Sequence, residues 1–273
     1  MKIATWNVNG IRARGQQVAD WLSTARPDAL CLQEIKASPA QVPDMLTALA
    51  EYECYWHGHK GYSGVALLLR RATFGAAAFE HPAFDHENRI VVARAAGLTL
   101  ASIYMPNGGK DFAAKLRFLE ALEQFAAAEQ AAGSRLILCG DLNVALEERD
   151  VHVKLRNAEQ IGQTAHEREL LAKIISRGLV DLGRRFHPSD DALFTWWAPW
   201  RNMKERNIGW RLDYVLASES LAAAARSCEH LREVGTSDHG PVVAELDVEL
   251  VPREAAPGSA AGAKAGRAQL PLL

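Results

Sequence analysis

Short apolar runs of strand length recur along this chain, and they repeatedly end in the same kinds of residue. Ile3-Ala4-Thr5-Trp6 gives way to Asn7, with Asn9 and Gly10 close behind. Leu30-Cys31-Leu32 runs into Gln33 and Glu34, and Ala101-Ser102-Ile103 into Tyr104, with Asn107 after it. Leu136-Ile137-Leu138-Cys139 runs into Gly140-Asp141-Leu142-Asn143. Runs of this length bounded by turn residues read as strands. A single junction of this sort is a turn, because Asn, Asp and Gly turn the chain for local reasons. Four such junctions suggest loops gathered at one rim of a sheet, where sites are commonly built.

The strand pattern covers 2–7, 29–33, 65–69, 98–104, 135–140, 212–216 and 242–248. Helical spacing lies between some of these runs. Val18, Trp21, Leu22 and Ala25 share one helix face. Asp111 is placed to cap a helix whose stripe is Leu116, Leu119, Leu122 and Phe125. Thr164-Ala165-His166-Glu167 has the form of a capping box; Leu170, Leu171, Ile174 and Ile175 follow, and Gly178 stops the helix. Strands and helices are mixed throughout, which predicts one α/β domain over residues 1–250. The Ala-, Gly- and Pro-rich segment 251–273 has no periodic apolar pattern and is expected to be a disordered tail.

At 273 residues and 48% hydrophobic content, the chain can bury a sizeable core without disulfide or metal staples. Its four cysteines form no CxxC pair, and Cys31 and Cys139 sit inside apolar runs, as small core residues do. The N-terminus enters a strand pattern at once, and no apolar stretch approaches the ~20 residues that span a bilayer. A cytoplasmic protein in a reducing compartment, with no membrane association, is expected. The net charge of −2 points to no particular partner. Local charge is more suggestive. Arg184, Arg185, Arg201, Lys204, Arg206 and Arg211 lie close together, interleaved with Trp196, Trp197, Trp200 and Trp210. That is a candidate nucleic-acid footprint.

The polar junctions carry specific chemistry. Glu34 and Asp238 are hard oxygen donors, and Asn7 and Asn9 can add carbonyls. Few carboxylates beside amides suit Mg²⁺, which keeps several waters and is often completed by substrate phosphate. Zinc fits less well there, because no HxxxH motif occurs. Asp238-His239 sits at the entrance of the last strand, and Asp213 begins another. A carboxylate can hold an imidazole in one tautomer and stabilise its charged form.

Seven segments together carry a resemblance. In chain order they are Trp6-Asn7-Val8-Asn9-Gly10-Ile11-Arg12, Leu32-Gln33-Glu34-Ile35-Lys36, Gly61-Tyr62-Ser63-Gly64-Val65-Ala66, Tyr104-Met105-Pro106-Asn107, Gly140-Asp141-Leu142-Asn143, Gly209-Trp210-Arg211-Leu212-Asp213-Tyr214 and Ser237-Asp238-His239. The chain resembles, over roughly residues 1 to 248, the exonuclease III family of the endonuclease/exonuclease/phosphatase superfamily. Trp-Arg-Leu-Asp-Tyr and Leu-Gln-Glu-Ile-Lys point to its DNA-repair branch. The resemblance implies a DNase I-like four-layer α/β sandwich, two packed mixed β-sheets flanked by helices. It implies a Mg²⁺-dependent nuclease, with Mn²⁺ as a possible substitute. Such an enzyme has abasic-site endonuclease, 3′–5′ exonuclease and 3′-phosphatase activities on double-stranded DNA with abasic sites or 3′ ends, and acts as a monomer.

The same resemblance implies residue roles. Glu34 would ligate the metal, with Asn7, Asn9, Asp141, Asn143, Asp238 and His239 close by. Asp141 would orient or deprotonate the attacking water, Asn143 would position the phosphate, and Tyr104 would sit against it. His239, paired with Asp213, would stabilise the pentacovalent charge, and whether Asp141 or His239 is the base stays open. Trp196, Trp210 and Leu212 would wall the pocket for an extruded sugar, while Trp197 reads as core. Asn107 and Lys110 would face DNA. The chain departs from the family pattern by lacking the N-terminal extension of animal relatives and by carrying Asn9 where some members have Asp. Glu147, Glu148 and Asp150 match family acids but read equally well as structural. Two alternatives stand beside this reading: an inositol-phosphate or sphingomyelin phosphodiesterase of the superfamily, and a nucleic-acid-binding regulator on a nuclease fold.

Overall fold

The computed structural model describes residues 1–251; the expected tail from Pro252 onward lies outside them. Among the described residues, twelve strands form two mixed six-stranded sheets. Across the first stand β11 (Ala225–His230), β12 (Val242–Leu246), β1 (Lys2–Asn7), β2 (Ala29–Gln33), β4 (Tyr62–Arg70) and β3 (Tyr52–His59). Across the second stand β5 (Ala78–Glu80), β6 (Ile90–Ala95), β7 (Leu98–Tyr104), β8 (Leu136–Asp141), β10 (Asp213–Ser218) and β9 (Leu179–Asp181).

Alternation along the strands explains the layering, since successive side chains point to opposite faces. Ile3, Cys31, Val65 and Leu67 of the first sheet meet Val91, Ile137, Cys139 and Val215 of the second in a core between the sheets. Their neighbours Ala4, Trp6, Leu30 and Leu32 face outward and pack on Val18 and Leu22 of helix Ile11–Ala25. On the second sheet Val92, Ala101, Leu136 and Leu138 face outward against Phe118, Leu119 and Leu122 of helix Phe112–Ala131. Leu170, Leu171 and Ile174 of helix Ala165–Ile175 cover the same face. The result is the four-layer sandwich expected. Both predicted helix starts are made as anticipated: Asp111 accepts from the Ala114 amide at 2.8 Å, and Thr164 and Glu167 form a reciprocal capping box.

Topology brings the polar strand ends together. β1 and β2 are parallel, joined through helix Ile11–Ala25; β7 and β8 are parallel, joined through helix Phe112–Ala131. Asn7 therefore stands opposite Gln33, and Tyr104 opposite Asp141. β10 runs antiparallel to β8 and starts with Asp213 opposite Asp141. β12 runs antiparallel to β1 and starts opposite Thr5, so the Asp238-His239 turn before it reaches the same rim. Gly140 permits this convergence: its φ is +147°, and a Cβ there would lie 1.9 Å from the Ile103 carbonyl oxygen. Among the described residues, no helix is long and apolar enough to cross a membrane.

Candidate active site

Asp141 is the hub of the rim, almost completely buried at the end of β8. Asn7 Nδ2 donates 2.9 Å bonds to both Asp141 Oδ2 and Glu34 Oε1, tying the two sheets together through one amide. The Asn143 backbone amide donates to Asp141 Oδ1 at 3.0 Å, and its side-chain amide to Oδ2 at 3.2 Å and to the Met105 carbonyl at 2.9 Å. His239 Nδ1 lies 2.8 Å from Asp213 Oδ2, which leaves Nε2 facing Asp141 Oδ2 at 3.8 Å. Glu34, Asp141 and His239 each offer one ligand atom within 4.8 Å of the others. Asp238 is held apart from that trio, accepting from Asn9 Nδ2 at 2.9 Å and from Trp196 Nε1 at 3.1 Å.

The departure at Asn9 acquires a structural meaning. Its amide nitrogen donates to Asp238 while its oxygen accepts from Lys36 Nζ at 2.6 Å. A carboxylate at this position could not donate, and would set a like charge against Asp238. Neither Asn7 nor Asn9 has an unengaged carbonyl, because Asn7 Oδ1 accepts from the Asn9 backbone amide at 3.0 Å. Both amides thus orient the carboxylates. Backbone strain concentrates here as well: Asn9, Glu34, Lys36 and Asn143 all lie in the left-handed region, with φ between 44° and 49°. A glutamate or lysine there costs of order 1–3 kcal/mol and persists only where surroundings impose it.

The electrostatics follow from burial and like charge. Burial disfavours an imidazolium at His239, but Asp213 and Asp141 more than reverse this and raise its pKa well above the usual histidine range. Burial drives Asp141 upward; His239 opposes this, while Asp213 and Glu34 reinforce it. Burial would also raise Glu34, but Asn7 and Lys36 hold it below the ordinary carboxylate range. Burial and the carboxylates of Glu34 and Asp141 push the Tyr104 phenol up, so it stays neutral and able to donate a hydrogen bond. Four carboxylates, Glu34, Asp141, Asp213 and Asp238, thus gather around two cations, Lys36 and His239. The donor set is hard oxygen in negative excess, which fits a divalent cation.

The comparisons with known proteins agree with this geometry. Residues 4–239 match the model of the endonuclease/exonuclease/phosphatase family. The chain is 33% identical to the exodeoxyribonuclease of Bacillus subtilis, over 89% of this chain and 98% of that protein. It is also 33% identical to the zebrafish (Danio rerio) protein named DNA repair nuclease APEX1, over 91% of this chain and 83% of that one. Among solved structures, the 3′ phosphatase NExo from Neisseria, bound to a product DNA hairpin, superposes with a TM-score of 0.83 at 32% identity; the match covers 91% of this chain and all (100%) of that one. The chain belongs to the endonuclease/exonuclease/phosphatase family. Within it, the exonuclease III relationship read from the motifs is borne out.

On this family scaffold the aromatic residues separate by burial. Trp197 is 1% exposed, as expected of a core residue, and donates from Nε1 to Asn207 Oδ1 at 3.0 Å. Trp210 and Leu212 form a small apolar cluster with Ala145 and Val151. Trp196 packs edge-on against Trp210 at 5.9 Å and lies 6.5 Å from the His239 ring, so this cluster adjoins the polar rim. Asn107 and Lys110 are exposed and line a cleft of about 520 Å³ together with Tyr62 and Arg89.

The predicted basic footprint is partly overturned. Arg211 is fully buried, donating to both oxygens of Asp150 at 2.8 and 3.0 Å and to Asp181 at 2.7 Å. Arg184 completes that cluster at 2.5 Å from Asp150. Arg201 and Arg206 are exposed, and Trp200 beside them is 60% exposed.

Sequence reasoning missed several contributors. Lys36, 2.7 Å from Glu34, lay within a quoted motif but had no assigned role. Arg89 gave no signal at all. Its guanidinium lies 4.9 Å from the Tyr104 ring and 5.5 Å from the Tyr62 ring, and its carbonyl accepts from the Tyr104 amide. Lys115 is completely buried against Glu167 at 2.5 Å and donates to the Asn143 carbonyl at 2.7 Å, supporting that residue's strained backbone.

Proposed function

We propose that this chain is a Mg²⁺-dependent DNA-repair nuclease that hydrolyses phosphodiester bonds in duplex DNA at abasic sites and 3′ ends. The single observation that carries the reading is the Asp213–His239–Asp141 alignment, 2.8 Å and 3.8 Å across the imidazole, beside Glu34 and the edge-on Trp196–Trp210 pair. Glu34 and Asp141 would hold the cation, with Asn7 and Asn143 fixing their carboxylates and Asp238 adding charge nearby. A bound cation of this kind polarises a phosphoryl oxygen and offsets charge on the leaving oxygen, and Mn²⁺ can stand in for Mg²⁺ there.

The chain's own residues would do the rest. Asp141 accepts the proton of the attacking water as its oxygen bonds to phosphorus and the bond to the leaving 3′ oxygen breaks. His239, kept charged by Asp213, donates from Nε2 to the phosphoryl oxygen on which negative charge builds. Tyr104 and Asn143 donate to the same phosphate. Trp196, Trp210 and Leu212 would present an apolar wall to an extruded baseless sugar, giving selectivity without reading sequence. Lys110, Asn107 and Tyr62 lie along the DNA, and the lysine contributes a sequence-independent phosphate contact.

A labelled duplex with one central abasic site, incubated with and without Mg²⁺, tests the reading. Mg²⁺-dependent incision on the 5′ side of the lesion is expected. Binding without incision would overturn it in favour of a regulator, and neither binding nor incision in favour of another phosphate ester.

A further inference from the structure

A second cluster of metal-ligating side chains lies on the neighbouring surface, away from the catalytic carboxylates. His57 on β3, His81 just after β5 and Asp85 in the loop before β6 each offer one ligand atom, all within 4.8 Å of one another. We propose that these three residues form a binding site for a borderline transition-metal ion such as Zn²⁺ or Co²⁺, distinct from the catalytic Mg²⁺ site.

The ligand chemistry sets the ion class. Two imidazole nitrogens and one carboxylate oxygen suit zinc, cobalt or nickel, whereas Mg²⁺ selects oxygen. The spacing is close to what such an ion requires. A tetrahedral shell with bonds of about 2.0–2.2 Å sets ligand atoms roughly 3.3–3.5 Å apart. His57 Nε2 and Asp85 Oδ2 are 2.5 Å apart and would open, while His81 Nδ1 and Asp85 Oδ2, at 3.9 Å, would close.

Surrounding bonds orient the ligands. His81 Nε2 lies 2.9 Å from the Tyr55 hydroxyl, so that nitrogen can carry the proton while Nδ1 faces Asp85. Pairing the outer ring nitrogen in this way is the usual support for a metal-bound histidine. Nδ1 would exchange a long 3.3 Å contact with the Ile90 carbonyl for the metal. Asp85 Oδ1 is held by the Arg89 and Ile90 amides at 2.7 and 3.1 Å, which leaves Oδ2 directed at the histidines. The two imidazole rings stack with centroids 3.8 Å apart, an arrangement unfavourable for two imidazolium ions. The ligands come from three segments, so the ion would tie the β3–β4 hairpin, which carries Tyr62, to the segment that carries Arg89.

Co²⁺ titration of the metal-stripped full chain in excess Mg²⁺, followed by visible absorption and competed with Zn²⁺, tests the proposal. One Co²⁺ per chain with visible ligand-field bands is expected, and Zn²⁺ should displace it. His81→Phe keeps a ring in the stack but removes the nitrogen; it should abolish the bands and weaken binding by at least about 100-fold. Glu34→Gln, at the catalytic rim, should leave them unchanged. The proposal is overturned if no Co²⁺ binds in excess Mg²⁺, if His81→Phe binds like the parent, or if Glu34→Gln removes the bands.

Discussion

Arg211 and Asp213 stand two residues apart, yet each belongs to a different buried charge cluster. Around Arg211, two guanidiniums from Arg184 and Arg211 face two carboxylates from Asp150 and Asp181. Charge there is balanced: Arg211 grips both oxygens of Asp150 and makes a single bond to Asp181, and Arg184 adds a single bond to Asp150. Around Asp213, four carboxylates share two cations, the His239 imidazole is shared between two aspartates, and the backbone at Glu34, Lys36 and Asn143 is strained. The balanced cluster neutralises itself, and it fixes the segment that carries Trp210 and Leu212. The unbalanced one carries an excess of carboxylate, the charge on which the proposed cation and phosphate roles rest. Burial alone therefore does not distinguish the two clusters; their charge balance does.

The strongest way to break that contrast is to exchange the effects of substitution. Asp141→Asn should lower the incision rate by about 10²–10⁴-fold while the urea midpoint stays near that of the parent; His239→Ala should lower the rate as far but also lower the midpoint, because it leaves Asp213 buried without its imidazole. Full activity in either variant would remove the catalytic reading. EDTA should abolish incision and added Mg²⁺ restore it, whereas activity that persists in EDTA would eliminate the metal. Asp150→Asn leaves Arg211 buried and underpaired, so it should cost about 3–5 kcal/mol in urea unfolding with incision per folded molecule retained. If instead stability held and activity fell, the second cluster would be part of the chemistry.

Acid titration sharpens the same point. Burial alone would raise the Asp150 pKa, but Arg211 reverses this and leaves it below the ordinary value. Its pairing then stabilises the fold above the unfolded pKa of about 3.9 and is lost as pH falls through the lower folded value. The stability gap between parent and Asp150→Asn, measured by urea unfolding at several pH values, should be full near neutrality and narrow below about pH 4. The smallest effect is expected at the exposed face. Lys110→Ala should weaken duplex binding only modestly and reduce the salt slope by about one, read from binding at several salt concentrations.

Much of the site was legible because of where the polar residues fall. Asn7, Glu34, Tyr104 and Asp141 end apolar runs that also serve as the carboxyl ends of parallel strands, so local pattern and topology coincide. The His239–Asp213 pairing was suggested by motif order, and its register follows from β10 and β12 both entering the rim antiparallel. Other parts were illegible for physical reasons. β3 reads as polar because it is half buried, and β9 is only three residues long. Arg89 sits alone before an apolar run, and its stacking on Tyr104 joins residues with no local relation.

The alternation of apolar residues, the capping signals at Asp111 and Thr164, and the acids and amides at strand ends belonged to the sequence alone, because each depends on residues within a turn or two. Which arginine would be buried, how closely His239 would approach Asp213, and that Asn9 would donate to Asp238 were decided by the tertiary structure. Those outcomes turn on partners 26 to 229 residues away along the chain, and desolvation sets their energies only once both sheets have closed over them.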